Sequence, residues 1–408
     1  MAKPTVDTRE QTNSRDWDWS FWPAVPLYPY SQRRTLRTEV VKDTIWTFDQ
    51  VQGIFYVVVP IRMTAVKLDG GGLLIYAPVA PTPECIRLVN ELVAVHGEVK
   101  YIILPTISGV EHKVFVGPFA RQFPRSQVFV APHQWSFPLN LPLSWLGLPA
   151  KRTQVLPDDS RQTPFAAEFD YTILGPIALG PGRFEEVAFY HRRSRTLLVT
   201  DSVVSVPEDP PAIVQLDPYP LLFHARDRVE DEVVDTTANR RKGWQRISLF
   251  TFYFQPSVLN VAKTAEMVRD AFKAPDHSRK AYFGLYPFQW QDDWPRSFAA
   301  LQGNGRLLVA PILQTLILNR APQETIEWAN RIAGWNFERI VPCHFAAPIA
   351  TTPSQFRQAF AFLEHVPTDL NAGATGESLL PAADLKLLRD IDAALSKSGI
   401  VPPPKTTA

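Results

Sequence analysis

Leu104-Pro105-Thr106-Ile107-Ser108-Gly109-Val110-Glu111-His112 is the stretch on which the reading of this chain turns. It follows Val99–Leu104, an apolar run with the length and β-branched content of a buried strand. It precedes an amphipathic stretch over residues 114–123. Strand, loop and helix are therefore predicted in that order, and the loop ends in an acid and an imidazole side by side. Loops at strand ends are where layered α/β folds gather ligands.

The pattern continues outward on both sides. Upstream, residues 45–48, 54–60 and 62–68 read as short strands. Asp69-Gly70-Gly71 reads as a tight turn into a further strand over 72–76. Thr82-Pro83 carries an N-cap followed by proline at the first helical position. Ile86, Val89, Leu92 and Val93 form the stripe of that helix, and Gly97 closes it. Downstream, a strand is predicted over 127–131 and a proline-rich loop over 132–165. Strands over 186–190 and 196–200 follow, joined by a polar turn, the second ending in Asp201. Pro322–Ala333 is a predicted helix closed by Gly334, and Arg339–Pro342 a strand leading into Cys343-His344. Thr352-Pro353-Ser354-Gln355 is a capping-box start, and a final helix is predicted over 381–397. The fold class is α/β, in layers of sheet and helix.

Three parts are expected. Residues 1–35 form an aromatic and proline-rich arm, with Trp17, Trp19, Trp22, Tyr28 and Tyr30, expected to pack on its own domain, the alternative being a partner-binding or membrane-interface arm. Residues 36–372 form the main domain, with an insertion at about 206–300 that mixes prolines, aromatics and charge runs. Residues 373–408 hold the last helix and a tail predicted to be disordered.

A chain of 408 residues, 45% hydrophobic, is long enough for one large core or two smaller ones. Its formal net charge of +1 gives no global electrostatic case for nucleic acid or an anionic membrane. Cys85 and Cys343 stand far apart and make no zinc or disulfide framework, so buried free thiols are expected. No apolar run approaches the ~20 residues of a membrane-spanning helix. The first residues, with Asp7 and Glu10, resemble neither a signal nor a transit peptide, and a cytoplasmic protein is expected.

Glu111 and His112, Asp201, and His344 each follow a strand. Two imidazoles and one or two carboxylates form a credible mononuclear site for zinc or iron. Each also has a structural reading: His112 as a helix cap, Asp201 as an acceptor in its turn, His344 as a satisfied core histidine. His96 suits a helix C-terminus, and His191 lies at the far end of its strand from Asp201. His133 and His224 fall in aromatic loops where they could line a pocket. Arg240-Arg241-Lys242 is expected to be a solvated face pairing with Glu230-Asp231-Glu232.

The order of elements, from about Lys42 to Ala372, resembles the metallo-β-lactamase fold. In hydrolases of that fold the first loop reads Thr-His-x-His-x-Asp-His. Val187-Ala188-Phe189-Tyr190 and Thr196-Leu197-Leu198-Val199-Thr200-Asp201 resemble the strand pair ending in the metal-bridging aspartate. Ile340-Val341-Pro342-Cys343-His344-Phe345 resembles the segment supplying the last ligand. With Gly-Trp-Gln, Val-Ala-Pro-Ile-Leu-Gln and Pro-Cys-His-Phe, the chain looks like a branch of the DUF4336 type found in oxygenic phototrophs. The resemblance implies a four-layer αββα sandwich.

It also implies what has changed. One of the family's two metal positions has lost its ligands to Ile107, Gly109, and Gly182 or Arg183. The other retains Glu111, His112, Asp201 and His344. Glu111 is one methylene longer than the family's aspartate, a shift of about 1.5 Å against a metal-distance tolerance of about 0.2 Å. Two functions follow. The first is a degenerate, non-hydrolytic binding or assembly factor in a photosynthetic cell, acting on a protein or small-molecule partner. The second is a mononuclear zinc or iron enzyme, hydrolase or oxidoreductase, built on the retained site.

Overall fold

The computed structural model describes residues 14–21, 23, 26–108, 111–134, 142–364 and 380–405. Alternating apolar residues fold first as an antiparallel meander: β1 (Leu36–Val41), β2 (Ile45–Ile54), β3 (Val57–Lys67) and β4 (Leu73–Tyr76). β4 pairs in parallel with the next strand, which requires a crossover, and α1 (Pro83–His96) supplies it. The Thr82 hydroxyl caps α1 by accepting the Cys85 N–H, and Gly97 ends it at φ 96°. β5 (Val99–Leu104), α2 (Lys113–Gln122), β6 (Gln127–Val130) and β7 (Thr153–Val155) complete a seven-stranded sheet in the order β1 to β7.

The second sheet begins with β8 (Phe169–Leu179), β9 (Gly182–His191) and β10 (Thr196–Val199). The chain then leaves the sheet for α3 (Tyr219–Ala225), α4 (Thr237–Tyr253), β11 (Leu259–Val261), α5 (Thr264–Ala271), β12 (Phe288–Trp290), α6 (Trp294–Gln302), α7 (Pro311–Leu316) and α8 (Pro322–Ala333). It returns as β13 (Arg339–Pro342) and β14 (Ile349–Ala350), followed by α9 (Pro353–Gln358) and α10 (Lys386–Lys397). The sheet order is β14-β13-β10-β9-β8, and β13 lies parallel to β10.

The two-residue period of a strand sets the layers. On β9, Val187 and Phe189 join Ile103, Phe129, Leu198 and Val341 in a core between the sheets. Ala188 and Tyr190, one residue out of phase, face Trp328, Ile332 and Phe356 from α8 and α9. On the far side of the first sheet, Ile102, Leu104, Val128 and Val130 pack on Cys85, Val89, Phe115 and Phe119 from α1 and α2. Helix, sheet, sheet and helix thus stack in the expected αββα order. Each fully buried Leu, Ile, Val or Phe contributes about 1.5–3 kcal/mol to holding it.

Several local expectations need correction. Pro60 does not end a strand: it lies inside β3 opposite Val51. β3 gains its second neighbour only from Thr64, so the missing N–H at Pro60 falls where the strand is still an edge. The loop predicted over 132–165 contains β7, and β8 forms where the sequence predicts no strand. The last helix begins at Lys386 rather than 381. The basic run pairs elsewhere: Arg240 with Asp235, Arg241 with Asp209, and Lys242 with Asp227. Trp19 of the arm is buried against Phe115, while Trp22 lies outside the described residues. Both cysteines are buried and unpaired.

His224 is not in a loop. It sits on α3, 1% exposed, and its Nε2–H donates to the Phe55 carbonyl at 3.1 Å. Burial pushes its pKa down to about 3. His191, buried beside Phe169, is held at about 4, also chiefly by burial. Both folded-state values lie below the unfolded value near 6.5. The stability they contribute is therefore complete above pH 6.5 and is lost as pH falls toward those values. The expected loss is roughly 2 kcal/mol per histidine between pH 6.5 and 5. Urea unfolding at pH 7 and pH 5 measures it, and His224→Gln is expected to flatten the slope.

Candidate metal centre

Three strand ends converge. The β5–α2 loop brings Glu111 and His112, the end of β10 brings Asp201, and the end of β13 brings His344. Ligand atoms of Glu111, Asp201 and His344 lie within 4.8 Å of one another.

His344 is 8% exposed. Its Nδ1–H donates to the Pro60 carbonyl at 2.9 Å, which orients the ring. Nε2 then meets Glu111 Oε2 and Asp201 Oδ1, each at 3.1 Å. The extra methylene of Glu111 is thus accommodated, since its carboxylate reaches the same nitrogen as Asp201. His112 precedes α2 but makes no side-chain cap. It is fully buried, and its Nδ1–H donates to the Pro78 carbonyl at 3.1 Å. Its Nε2 is buried without a partner among the described residues. Both imidazoles therefore spend one nitrogen on a backbone carbonyl, as metal-ligating histidines do, but His112 is not among the residues whose ligand atoms converge within 4.8 Å.

The electrostatics follow. Burial works against a charged His344, but Glu111 and Asp201 overcome it and hold the imidazole well above its ordinary value. Burial likewise opposes an ionised Glu111, yet His344 brings that carboxyl down to about 2. His112 is pushed down by burial, with the charges of Glu111 and Asp201 opposing. Glu111 and Asp201 remain about one-fifth exposed, so solvent reaches the carboxylate side.

Two buried charges that sequence reading missed hold this arrangement. Glu186 on β9 accepts the backbone N–H groups of Thr200, Asp201 and Ser202 at 2.8, 3.0 and 2.8 Å, and the Ser202 hydroxyl at 3.0 Å. It fixes the turn that presents Asp201. Burial, then the charge of Asp201, raises its carboxyl to about 7. Arg62 on β3 donates to the carbonyls of Pro342 and Phe345, on either side of Cys343-His344. The available signals were two consecutive glutamates inside an apolar strand, and an arginine in the middle of a β-rich run. Glu186→Ala leaves three backbone donors without an acceptor, and about 3 kcal/mol of stability is expected to go with it. Urea unfolding checks this, with Glu186→Gln retaining part of the loss.

The vacated position is partly visible. Ile107 is 5% exposed and belongs to the apolar core between the sheets. Gly109 lies outside the described residues. Gly182 and Arg183 close the β8–β9 hairpin, opposite Leu179 and Ala178, about 10–13 Å along the strand from Glu186. His133 does line a cavity, of about 620 Å³ along β8, with its Nδ1 2.6 Å from Glu185. None of the four candidate ligands lines that cavity. His191 pairs with Ser194 away from the centre, and His96 packs on Trp46.

A two-sheet sandwich with helices on both outer faces is the αββα arrangement of the metallo-β-lactamase fold. More particularly, the chain belongs to the DUF4336 family: residues 42–362 match the family described as "Domain of unknown function (DUF4336)". Solved structures similar to it include a flavo di-iron protein variant from Thermotoga maritima, 9% identical with TM-score 0.43. The match covers 82% of this chain and 63% of that one. A metal-soaked flavodiiron core from Synechocystis is 10% identical, with TM-score 0.42 and coverage of 92% and 72%. The DIM-1 metallo-β-lactamase is 16% identical, with TM-score 0.31 and coverage of 42% and 71%. No curated protein matches the chain. Among the described residues, no helix is long and apolar enough to cross a membrane.

Proposed function

We propose that this protein is a mononuclear metalloprotein, holding one zinc or iron ion with Glu111, His112, Asp201 and His344. One observation carries the reading: His344 Nε2 meets both carboxylates at 3.1 Å while Nδ1 is anchored on a backbone carbonyl. The orphaned Nε2 of buried His112 supports it. When bound, such an ion supplies Lewis-acid chemistry, or redox chemistry if it is iron. The chain's own groups do the rest. Glu186 and Arg62 fix the loops that carry Asp201 and His344. Glu111 and Asp201, each about one-fifth exposed, leave the carboxylate side of the site open to solvent.

A second reading, a non-hydrolytic binding or assembly factor, is favoured by a different observation. Ile107 packs into the inter-sheet core where the fold's hydrolases place a ligand, and the Glu111–His344–Asp201 triad is closed on itself by charge. A photosynthetic cell is proposed on the likeness of the quoted motifs alone. Elemental analysis of purified protein, as isolated and after incubation with zinc or ferrous iron, separates the readings. One ion per chain supports the mononuclear site. No bound ion in either sample would sink it, and two ions would overturn the loss of the second position.

A further inference from the structure

Two loop tips lie side by side at one end of the insertion. The β2–β3 turn presents Ile54 and Phe55, 59% and 63% exposed, and the turn before β12 presents Phe283, 64% exposed. Phe55 meets Tyr282 with ring centroids 5.4 Å apart, so the tips form one patch. Phe55, Tyr56, Tyr282 and Phe283 all have φ between 49° and 61°, a left-handed conformation costly for bulky side chains.

The strained tips are held from below. The Tyr56 ring packs against Tyr28, Tyr219, Phe223 and Tyr282, and its hydroxyl donates to the Lys280 carbonyl at 2.9 Å. The Phe55 carbonyl is fixed by His224. A buried aromatic cluster thus supports exposed aromatic tips, although nothing in the packing of this chain needs Phe55 or Phe283 outside. Arg279 and Lys280 adjoin them. Both are exposed, and no ion pair to a carboxylate is seen for either among the described residues, Lys280 lying over the Tyr219 ring at 4.1 Å.

We propose that this face is a peripheral docking surface for an anionic lipid bilayer. The patch is made of two turn tips with exposed aromatic rings, which suits insertion between headgroups. The sequence Arg279-Lys280-Ala281-Tyr282-Phe283 puts two cations next to two aromatic rings. Cations at the headgroup phosphates with aromatic rings just beneath is the arrangement an interface favours. The rigid tips lose little conformational freedom on binding.

The test is vesicle co-sedimentation of the full chain. The vesicles are phosphatidylcholine alone, and phosphatidylcholine with about a third phosphatidylglycerol. Binding to the mixed vesicles, weakened by salt, is expected. Phe55→Asn with Phe283→Asn keeps side chains that tolerate a left-handed backbone and removes the rings. Its affinity is expected to fall on the order of tenfold or more with an unchanged thermal melt. Arg279→Gln with Lys280→Gln is expected to abolish the preference for the anionic lipid, and Val95→Asn, an exposed apolar residue on α1, to change nothing. Absence of binding by the wild type, or equal binding by the Phe variant, would overturn the proposal. So would self-association in sedimentation that the Phe variant alone removes, which would make the face a contact between copies.

Discussion

Replacing Arg62 by methionine is expected to lower the unfolding free energy by about 3–5 kcal/mol. The guanidinium is 4% exposed, and its Nε lies 2.6 Å from Asp49 Oδ1. Burial already raises the Asp49 carboxyl, with Arg62 opposing, so removing the arginine leaves a buried acid with no counter-charge. The carbonyls of Pro342 and Phe345 lose their donors at the same time. Breaking one side of a buried pair costs far more than removing both. Asp49→Leu combined with Arg62→Met is therefore expected to recover much of the loss. Because those carbonyls flank His344, metal affinity is expected to fall about 10–100-fold in the single variant. Urea unfolding and competitive metal titration measure the two effects. An Arg62→Met protein as stable as the wild type would refute the account of how the His344 loop is held.

His344→Ala is expected to weaken metal binding by more than the roughly 100-fold upper range of a supporting-residue change, because it removes a direct ligand. It has a second signature in protein stripped with a chelator. There His344 draws the Glu111 carboxyl, against burial, from 4.5 down to about 2. A depressed carboxyl contributes stability that is present above pH 4.5 and lost as pH falls from 4.5 toward 2. In His344→Ala that contribution disappears and Glu111 faces Asp201 without a cation between them. The variant is expected to be less stable than the wild type by about 1–3 kcal/mol near neutrality, with a shallower acid slope between pH 4.5 and 2. Equal metal affinity in the two proteins would eliminate the mononuclear site. A metal-free wild type with a destabilised variant would leave the binding-factor reading standing.

The elements most legible in the sequence are those whose signals are local. Thr82-Pro83, with Gly97 fourteen residues after Pro83, bounds α1 because caps act within one turn. Thr352 and Gln355 mark the start of α9 for the same reason. Val99–Leu104 and Arg339–Pro342 are short apolar runs, and both are strands. β8 was not legible. Its run Phe169–Leu179 mixes apolar and exposed positions around Gly175 and Pro176, and only pairing with β9 makes it a strand. The basic run found partners different from those nearest in composition, because helix α4 turned each cation toward its own neighbour.

The same division holds for the centre. The sequence by itself determined which residue types stand at three strand ends: Glu111 and His112, Asp201, and His344. Their chemistry and their placement after apolar runs are properties of the chain. The tertiary structure decided that Glu111 and Asp201 share one imidazole nitrogen, and that Pro60 and Pro78, far away in sequence, fix the two rings. It also recruited Glu186 and Arg62, which look like ordinary charges until burial makes each a fixed anchor for a backbone loop. Side-chain identity is written locally. Which nitrogen faces which oxygen depends on contacts between segments that only the packed sheets bring together.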